Sequence, residues 1–275
     1  MSAAKRWTLN DIPWERFDRS QVDPDTLKVA KAAALVEYNA HDYAAYLCSV
    51  FHDDDVFSAA SRQWAEEEVQ HGAALGRWSL MADPDFDFEG SVLRFREAYR
   101  IDVSAQSSTR GSRAGELIAR CMVETGTSSY YSALSDATAE PVLKIICKNI
   151  AADELRHYKL FYSHLKTYLD SEDIGMLRRL RIALGRIVET EDDELACAFF
   201  AANAAPGEVY ERERYSREYM KRAYNYYQPH HLDRAVGMIF KACGLRPQTP
   251  LFRLSQRIAW WIFENRARQL QKAAA

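Results

Sequence analysis

The 275-residue chain has no Cys-x-x-Cys pair, no apolar run near the length of a membrane span and little excess charge. Without Cys-x-x-Cys there is no rubredoxin-type redox module. The five cysteines, Cys48, Cys121, Cys147, Cys197 and Cys243, are odd in number and scattered through apolar stretches. They read as buried thiols of a reducing compartment rather than a disulfide framework. A span needs roughly 18–20 consecutive apolar residues, and Met1 to Trp7 lacks an apolar signal core, so a cytoplasmic protein with no membrane span is expected. A net charge of −3 argues against a nucleic-acid coat, which needs a basic surface. Only 8 prolines and 11 glycines interrupt the chain, and no period-2 run is long enough for a sheet. An all-α protein is expected, and 48% hydrophobic residues suffice for a full core.

Against that background stand two Glu-x-x-His pairs, Glu68 with His71 and Glu154 with His157, each preceded by a lone glutamate, Glu37 and Glu124. One such pair is weak evidence, since most helical Glu and His residues are solvated. Spacing makes the four elements cohere. Residues three apart share a helix face, so each Glu and His can aim at one interior point. A first helical hairpin is expected over residues 24–81, turning at 52–55. From Asp53, Glu37 lies 16 residues back and Glu68 lies 15 forward. In the second hairpin, Glu124 is 14 residues before Thr138 and Glu154 is 16 after it. At ~1.5 Å per residue, both members of each pair sit at one level along the helices.

The lone glutamates also stand in apolar runs, Val29 to Val36 and Leu117 to Val123. A core carboxylate needs a cation, a proton or a ligand role, and four carboxylates converging with two imidazoles would repel one another without metal between them. Oxygen and imidazole ligands without thiolate suit iron or manganese better than structural zinc. Two Fe ions, or a mixed Mn/Fe pair, are therefore expected on Glu37, Glu68, His71, Glu124, Glu154 and His157. Glu67 and Asp153, one step before the paired glutamates, are candidates to hold the outer histidine nitrogens, with Arg156 pairing to Glu67.

The stretches Glu66-Glu67-Glu68-Val69-Gln70-His71-Gly72 and Asp153-Glu154-Leu155-Arg156-His157 resemble the ferritin-like diiron carboxylate superfamily, most closely its soluble acyl-carrier-protein desaturase and related oxygenase branch. Gln70 departs from the arginine usual in that motif. The resemblance covers residues 24–170 and implies a ferritin-like four-helix bundle with a long crossover between two hairpins. It further implies O2 as co-substrate, a small-molecule or carrier-bound substrate and an external electron donor such as ferredoxin or a reductase. Relatives place a hydroxyl one turn beyond the second lone glutamate, which makes Thr127 and Ser128 the candidate catalytic residues, although helical Ser and Thr also simply back-bond. Gly126, costing ~1 kcal/mol in a helix interior, would leave space beside the metals.

Three segments are expected: an arm over residues 1–22 packed through Trp7, Ile12, Trp14 and Phe17, the bundle over 23–170, and a helical extension over 171–275. Helices are expected over 172–204, 207–227, 229–243 and 249–272, with a short one at 90–99 in the crossover. Such an extension would shape a substrate cavity or a homodimer contact, unlike a compact iron-storage unit. Ala259 to Phe263 reads as core, the Arg- and Tyr-rich segment from Tyr210 to Tyr227 as a solvated face with internal ion pairs, and His230 and His231 as capping or surface residues. His41 reads as a supporting or surface residue. The expected activity is oxidation of an organic, apolar substrate by hydroxylation, desaturation or heteroatom oxidation. The competing expectation is a ferroxidase or peroxidase.

Overall fold

Asp23 accepts a hydrogen bond from the Thr26 amide at 2.7 Å and Pro24 fills the first helical position, so helix α1 (Pro24–Tyr38) starts where its local signals place it. The computed structural model describes residues 6–189 and 193–272. Met1 to Lys5, most of the segment read for a signal core, lie outside the described residues. All regular structure among the described residues is helical.

Instead of one helix over 24–51, α1 stops after Glu37 and Tyr38, and α2 (Ala40–Val50) follows at once. Asn39 makes the break at φ −90°, ψ 8°. Its side-chain oxygen accepts from Arg96 Nε at 2.9 Å, and Arg96 Nη2 reaches the Tyr38 carbonyl at 3.3 Å. A residue 57 positions away thus fixes the bend. Helix α3 (Asp55–Ala82) returns, its N-terminus capped by Asp54 on the Phe57 amide at 2.8 Å. It packs on α1. Gly72 permits this approach: a Cβ there would lie 2.5 Å from the Tyr38 nitrogen and 2.8 Å from the Ala34 oxygen, both backbone atoms that cannot yield.

The crossover contains α4 (Phe88–Ala98). Helix α5 (Arg113–Ala137) begins at Ser112, whose hydroxyl accepts from the Gly115 amide, and α6 (Pro141–Ser171) begins at Glu140. Glu140 is fully buried yet satisfied, accepting from Trp78 Nε1 and the Leu143 amide at 2.7 Å and from the Asp18 amide at 3.1 Å. α5 packs along α6, and α6 meets α3, which joins the two hairpins.

Two apolar clusters lie on opposite sides of the level of the six candidate ligands. One includes Val29, Leu35, Leu75, Trp78, Tyr131 and Ile146; the other includes Leu47, Phe57, Trp64, Leu117, Tyr158 and Phe161. Each fully buried Leu or Phe contributes ~1.5–3 kcal/mol, and together they seal the middle of the helices from water.

Beyond α6 the chain covers the helices that carry the lone glutamates. The single helix expected over 172–204 is two, α7 (Met176–Val188) and α8 (Asp193–Asn203). They are followed by α9 (Arg212–Ala223), α10 (Pro229–Ala242) and α11 (Pro250–Lys272). α8 packs on α1; α7 and α10 pack on α5. The N-terminal arm lies over α3 and α6, with Trp14 under Arg77 at 4.1 Å and Arg19 donating to the Met81 carbonyl at 2.8 Å.

Two sequence expectations for this extension change. Tyr215 and Tyr219 of the Arg- and Tyr-rich segment are buried against Phe200 and Phe199, so that helix is not a wholly solvated face. Trp261 and Ile262, read as core, are 63% and 55% exposed.

Candidate metal centre

Glu37 from α1, Glu68 and His71 from α3, Glu124 from α5, and Glu154 and His157 from α6 converge, all buried. They form two overlapping sets. Glu37, Glu68, His71 and Glu154 each bring a ligand atom within 4.8 Å of the others, and so do Glu68, Glu124, Glu154 and His157. Glu68 and Glu154 belong to both sets. The two oxygens of Glu68 divide between them, Oε2 lying 2.8 Å from His71 Nδ1 and Oε1 lying 3.1 Å from His157 Nδ1. Glu154 Oε1 stands 3.2 Å from His71 Nδ1 and 3.9 Å from His157 Nδ1.

Both imidazoles turn Nδ1 inward and Nε2 outward, and the outer nitrogens are held crosswise by the opposite helix. His71 Nε2 meets Asp153 of α6 at 3.0 Å, and His157 Nε2 meets Glu67 of α3 at 3.0 Å. Arg156 donates to both of these carboxylates. The expected roles of Glu67, Asp153 and Arg156 are thus met. Trp7 of the arm joins the array, donating Nε1–H to Asp153 at 2.7 Å and stacking on His71 with centroids 5.9 Å apart. Gln70, where the related motif has arginine, donates to the Trp7 carbonyl at 3.1 Å.

Burial and mutual charge shift the groups of the cluster in opposite directions. Burial, then the charges of Glu68 and Glu154, push Glu37 well above the usual carboxylate range; burial and the same two neighbours do this to Glu124. Glu68 goes the other way. Burial raises it, but His157 and His71 outweigh burial and hold it well below that range. Burial would lower both histidines, yet Asp153, Glu154 and Glu68 raise His71, and Glu68 and Glu67 raise His157. These shifts favour the protonated forms of both imidazoles and of the two lone glutamates. Even so, both oxygens of Glu124 and Nδ1 of His157 are buried without a well-aligned hydrogen-bond partner among the described residues. Such orphaned atoms, aimed at one point with four carboxylates around it, suit two divalent cations.

The candidate hydroxyls separate. Thr127 Oγ1 donates to Glu154 Oε2 at 2.6 Å, while also lying 3.2 Å from the Val123 carbonyl. Ser128 donates instead to the Ala151 carbonyl at 3.1 Å, which corrects the paired reading: it ties α5 to α6. Gly126 is solvent-exposed, and a Cβ there would meet nothing within 4 Å. The space it leaves is open to solvent rather than a closed chamber.

Two residues emerge that the sequence reading passed over. Tyr131 donates to Glu37 Oε1 at 2.5 Å, and its own hydroxyl is held protonated by burial and by Glu37. It lies seven residues, two turns, after Glu124, so its helical phase was a usable signal. Arg120, one turn before Glu124, is buried with Nη2 3.6 Å from Glu124 Oε1, its guanidinium 5.0 Å from the Trp64 ring centroid. A lone arginine inside an apolar run was its signal. His41, by contrast, is exposed and 4.0 Å from Glu66, away from the ligands.

His230 and His231 also come together with Asp136. His231 Nδ1 accepts from the Gln228 amide at 2.9 Å, leaving Nε2–H to face Asp136 at 3.0 Å. That tautomer makes it a helix cap, in line with its capping expectation.

No protein-family model and no curated protein matches the chain, so the reading rests on the chemistry of these residues.

Proposed function

We propose that the chain is a ferritin-like non-haem diiron oxidoreductase that activates O2 to oxidise an organic, apolar substrate. The observation carrying this reading is the pair of four-residue sets sharing Glu68 and Glu154. Glu37, Glu68, His71 and Glu154 would hold one metal and Glu68, Glu124, Glu154 and His157 the other, as iron or as a manganese and iron pair. When bound, such a pair supplies the electrons that reduce O2, and an external donor such as a ferredoxin or reductase replaces them.

The chain's own residues set the conditions. Asp153 and Glu67 fix the histidine tautomers by accepting the Nε2 protons, so Nδ1 is presented as the ligand. Tyr131 and Thr127 restrain one oxygen each of Glu37 and Glu154. The half-buried Thr127 hydroxyl holds a proton between solvent and Glu154, suited to relay it inward. The arm, α8 and α10 exclude water from the remaining sides.

A second reading, oxidation of iron or reduction of peroxide at the same residues, has one observation in its favour. The two clefts described, of about 410 and 390 Å³, are lined by no ligand residue, the first lying between α9 and α11 and the second around Pro24, Lys31 and Asp83. Anaerobic loading with ferrous iron followed by oxygen uptake separates the two. The proposed oxygenase stops after two irons per chain unless reductant is supplied; a ferroxidase keeps oxidising added iron. Thr127→Val should retain two metals per chain while reductant-driven oxygen consumption falls at least about tenfold. Unchanged consumption removes Thr127 from the relay, and a metal-free wild-type protein removes the proposal.

A further inference from the structure

We propose that α7 and α11 form a basic, amphipathic surface that lies on anionic lipid membrane. Of the 14 large hydrophobic side chains exposed among the described residues, nine belong to these two helices. On α11, Leu251, Leu254, Ile258, Trp261 and Ile262 recur at three- and four-residue steps, which sets them on one face. The opposite face is already used: Phe252 packs on Phe240, Phe263 stacks on Tyr224, and Leu270 is buried. On α7, Leu177 is 79% exposed and Leu184 and Ile187 continue its stripe, while Ala183 faces the core. α11 packs on α10, with Phe252 against Phe240, and α7 packs on α5 with Arg179 lying beside Gly244, at the turn that follows α10.

Charge identifies what covers this surface. α7 carries four arginines and no acid; α11 carries five basic residues against Glu264 alone. The two helices therefore hold +8 in a chain of net −3, so the rest of the molecule carries −11. Arg178, Arg181, Arg253 and Arg257 are themselves exposed beside the apolar stripes. Among the described residues, three acids that follow α7 are engaged elsewhere: Glu189 with Arg110, Asp193 with Tyr210 and Glu194 with Tyr43. Two copies meeting through this surface would press like charges together. An anionic bilayer satisfies both features, with aliphatic and indole groups entering the headgroup boundary and arginines at the phosphates. No helix is long and apolar enough to cross the membrane, so the contact is superficial. The inference is independent of the metal reading.

The test is sedimentation of the full chain with vesicles of phosphatidylcholine alone or mixed with phosphatidylglycerol, with tryptophan emission read in parallel. We expect at least about tenfold tighter binding to the anionic vesicles, a blue shift on binding, and weakening between about 0.1 and 1 M salt. Leu254→Glu with Trp261→Glu, and separately Arg253→Glu with Arg257→Glu, should each reduce binding at least about tenfold with the helical circular dichroism unchanged. All these positions are exposed, so folding is not at stake. Equal binding to neutral vesicles, wild-type binding by both variants, or no binding to anionic vesicles overturns the proposal. So does a dimer in sedimentation velocity that Leu254→Glu with Trp261→Glu dissolves, because the face is then occupied by a second copy.

Discussion

The crossed support of the two histidines predicts that the two proposed metal sites can be weakened one at a time. Asp153 Oδ2 accepts from both His71 Nε2 and Trp7 Nε1, while Oδ1 faces Arg156. Asp153→Asn can keep its oxygen on His71 and Trp7, but it removes the charge that makes the imidazole a strong ligand and sets an amide against Arg156. Loss of such an outer partner typically costs 10–100-fold in metal affinity, or ~1.4–2.7 kcal/mol. The effect should fall on the set containing Glu37 and His71. Glu67→Gln should do the same to the set containing Glu124 and His157, since Glu67 Oε2 holds His157 Nε2. Anaerobic metal titration against a competing chelator should show two tight sites in the wild type. Each variant should show one tight site and one weakened by that factor. Glu68 and Glu154 are shared, so a small loss at the other site is expected. Equal weakening of both sites in each variant would mean that the carboxylates act only through net charge, and unchanged affinity would mean that they do not tune the histidines at all. Either result would show that Asp153 and Glu67 do not each support one histidine.

Removal of a shared ligand has a different signature. Glu154→Ala should lower the metal content from two per chain to one or none, measured by elemental analysis of protein loaded in excess metal; retention of two removes Glu154 from the centre. Metal uptake should also release protons, since His71, His157, Glu37 and Glu124 all have folded-state pKa values raised by their surroundings. Calorimetry in buffers of different ionisation enthalpy reads that release, and a buffer-independent enthalpy would count against it. For these raised groups, the stability they confer is present below the unfolded-state pKa and lost as pH rises through the folded-state value. Metal-free protein should therefore lose melting temperature as pH rises above the ordinary histidine value of 6.5. Metal-loaded protein should not follow it, and parallel profiles would refute the coupling.

The positions of the six central residues were legible because they depend on two short turns and on helical rise, both local quantities. The outer carboxylates were legible for the same reason, lying one step before the paired glutamates on their helices. What was not legible depends on distant contacts. The bend at Asn39 needs Arg96 from the crossover, and nothing in the run from Val29 to Val50 announces it. The segment around Trp261 reads as core because α11 is apolar on two faces, and only the tertiary packing shows which face lacks a partner. Ser128 and Thr127 are adjacent, so their helical phases differ by ~100°, and only one of them reaches Glu154. Tyr131 was hidden by the length of the helix, two turns from the ligand on its own helix but in contact with the ligand of another.

The arm covers the α3 and α6 side, α8 covers α1, and α7 with α10 cover α5, yet Gly126 of α5 remains exposed with Thr127 half-buried beside it. If glycine there served only as a poor helix former, replacement would help. A Cβ would meet nothing within 4 Å, so Gly126→Ala should stabilise the helix by ~0.8–1 kcal/mol and raise the melting temperature by about 2–4 °C. Gly126→Leu should gain a similar amount but place a bulky side chain in the open space next to Thr127 in the chain. If this opening is the way in, Gly126→Leu slows the rate at which a small chelator strips the metals while leaving their number and equilibrium affinity unchanged. Gly126→Ala should leave that rate near wild type. Equal stripping rates for all three proteins would place the entrance elsewhere, and Thr127 would then be a brace for Glu154 rather than the gate to it.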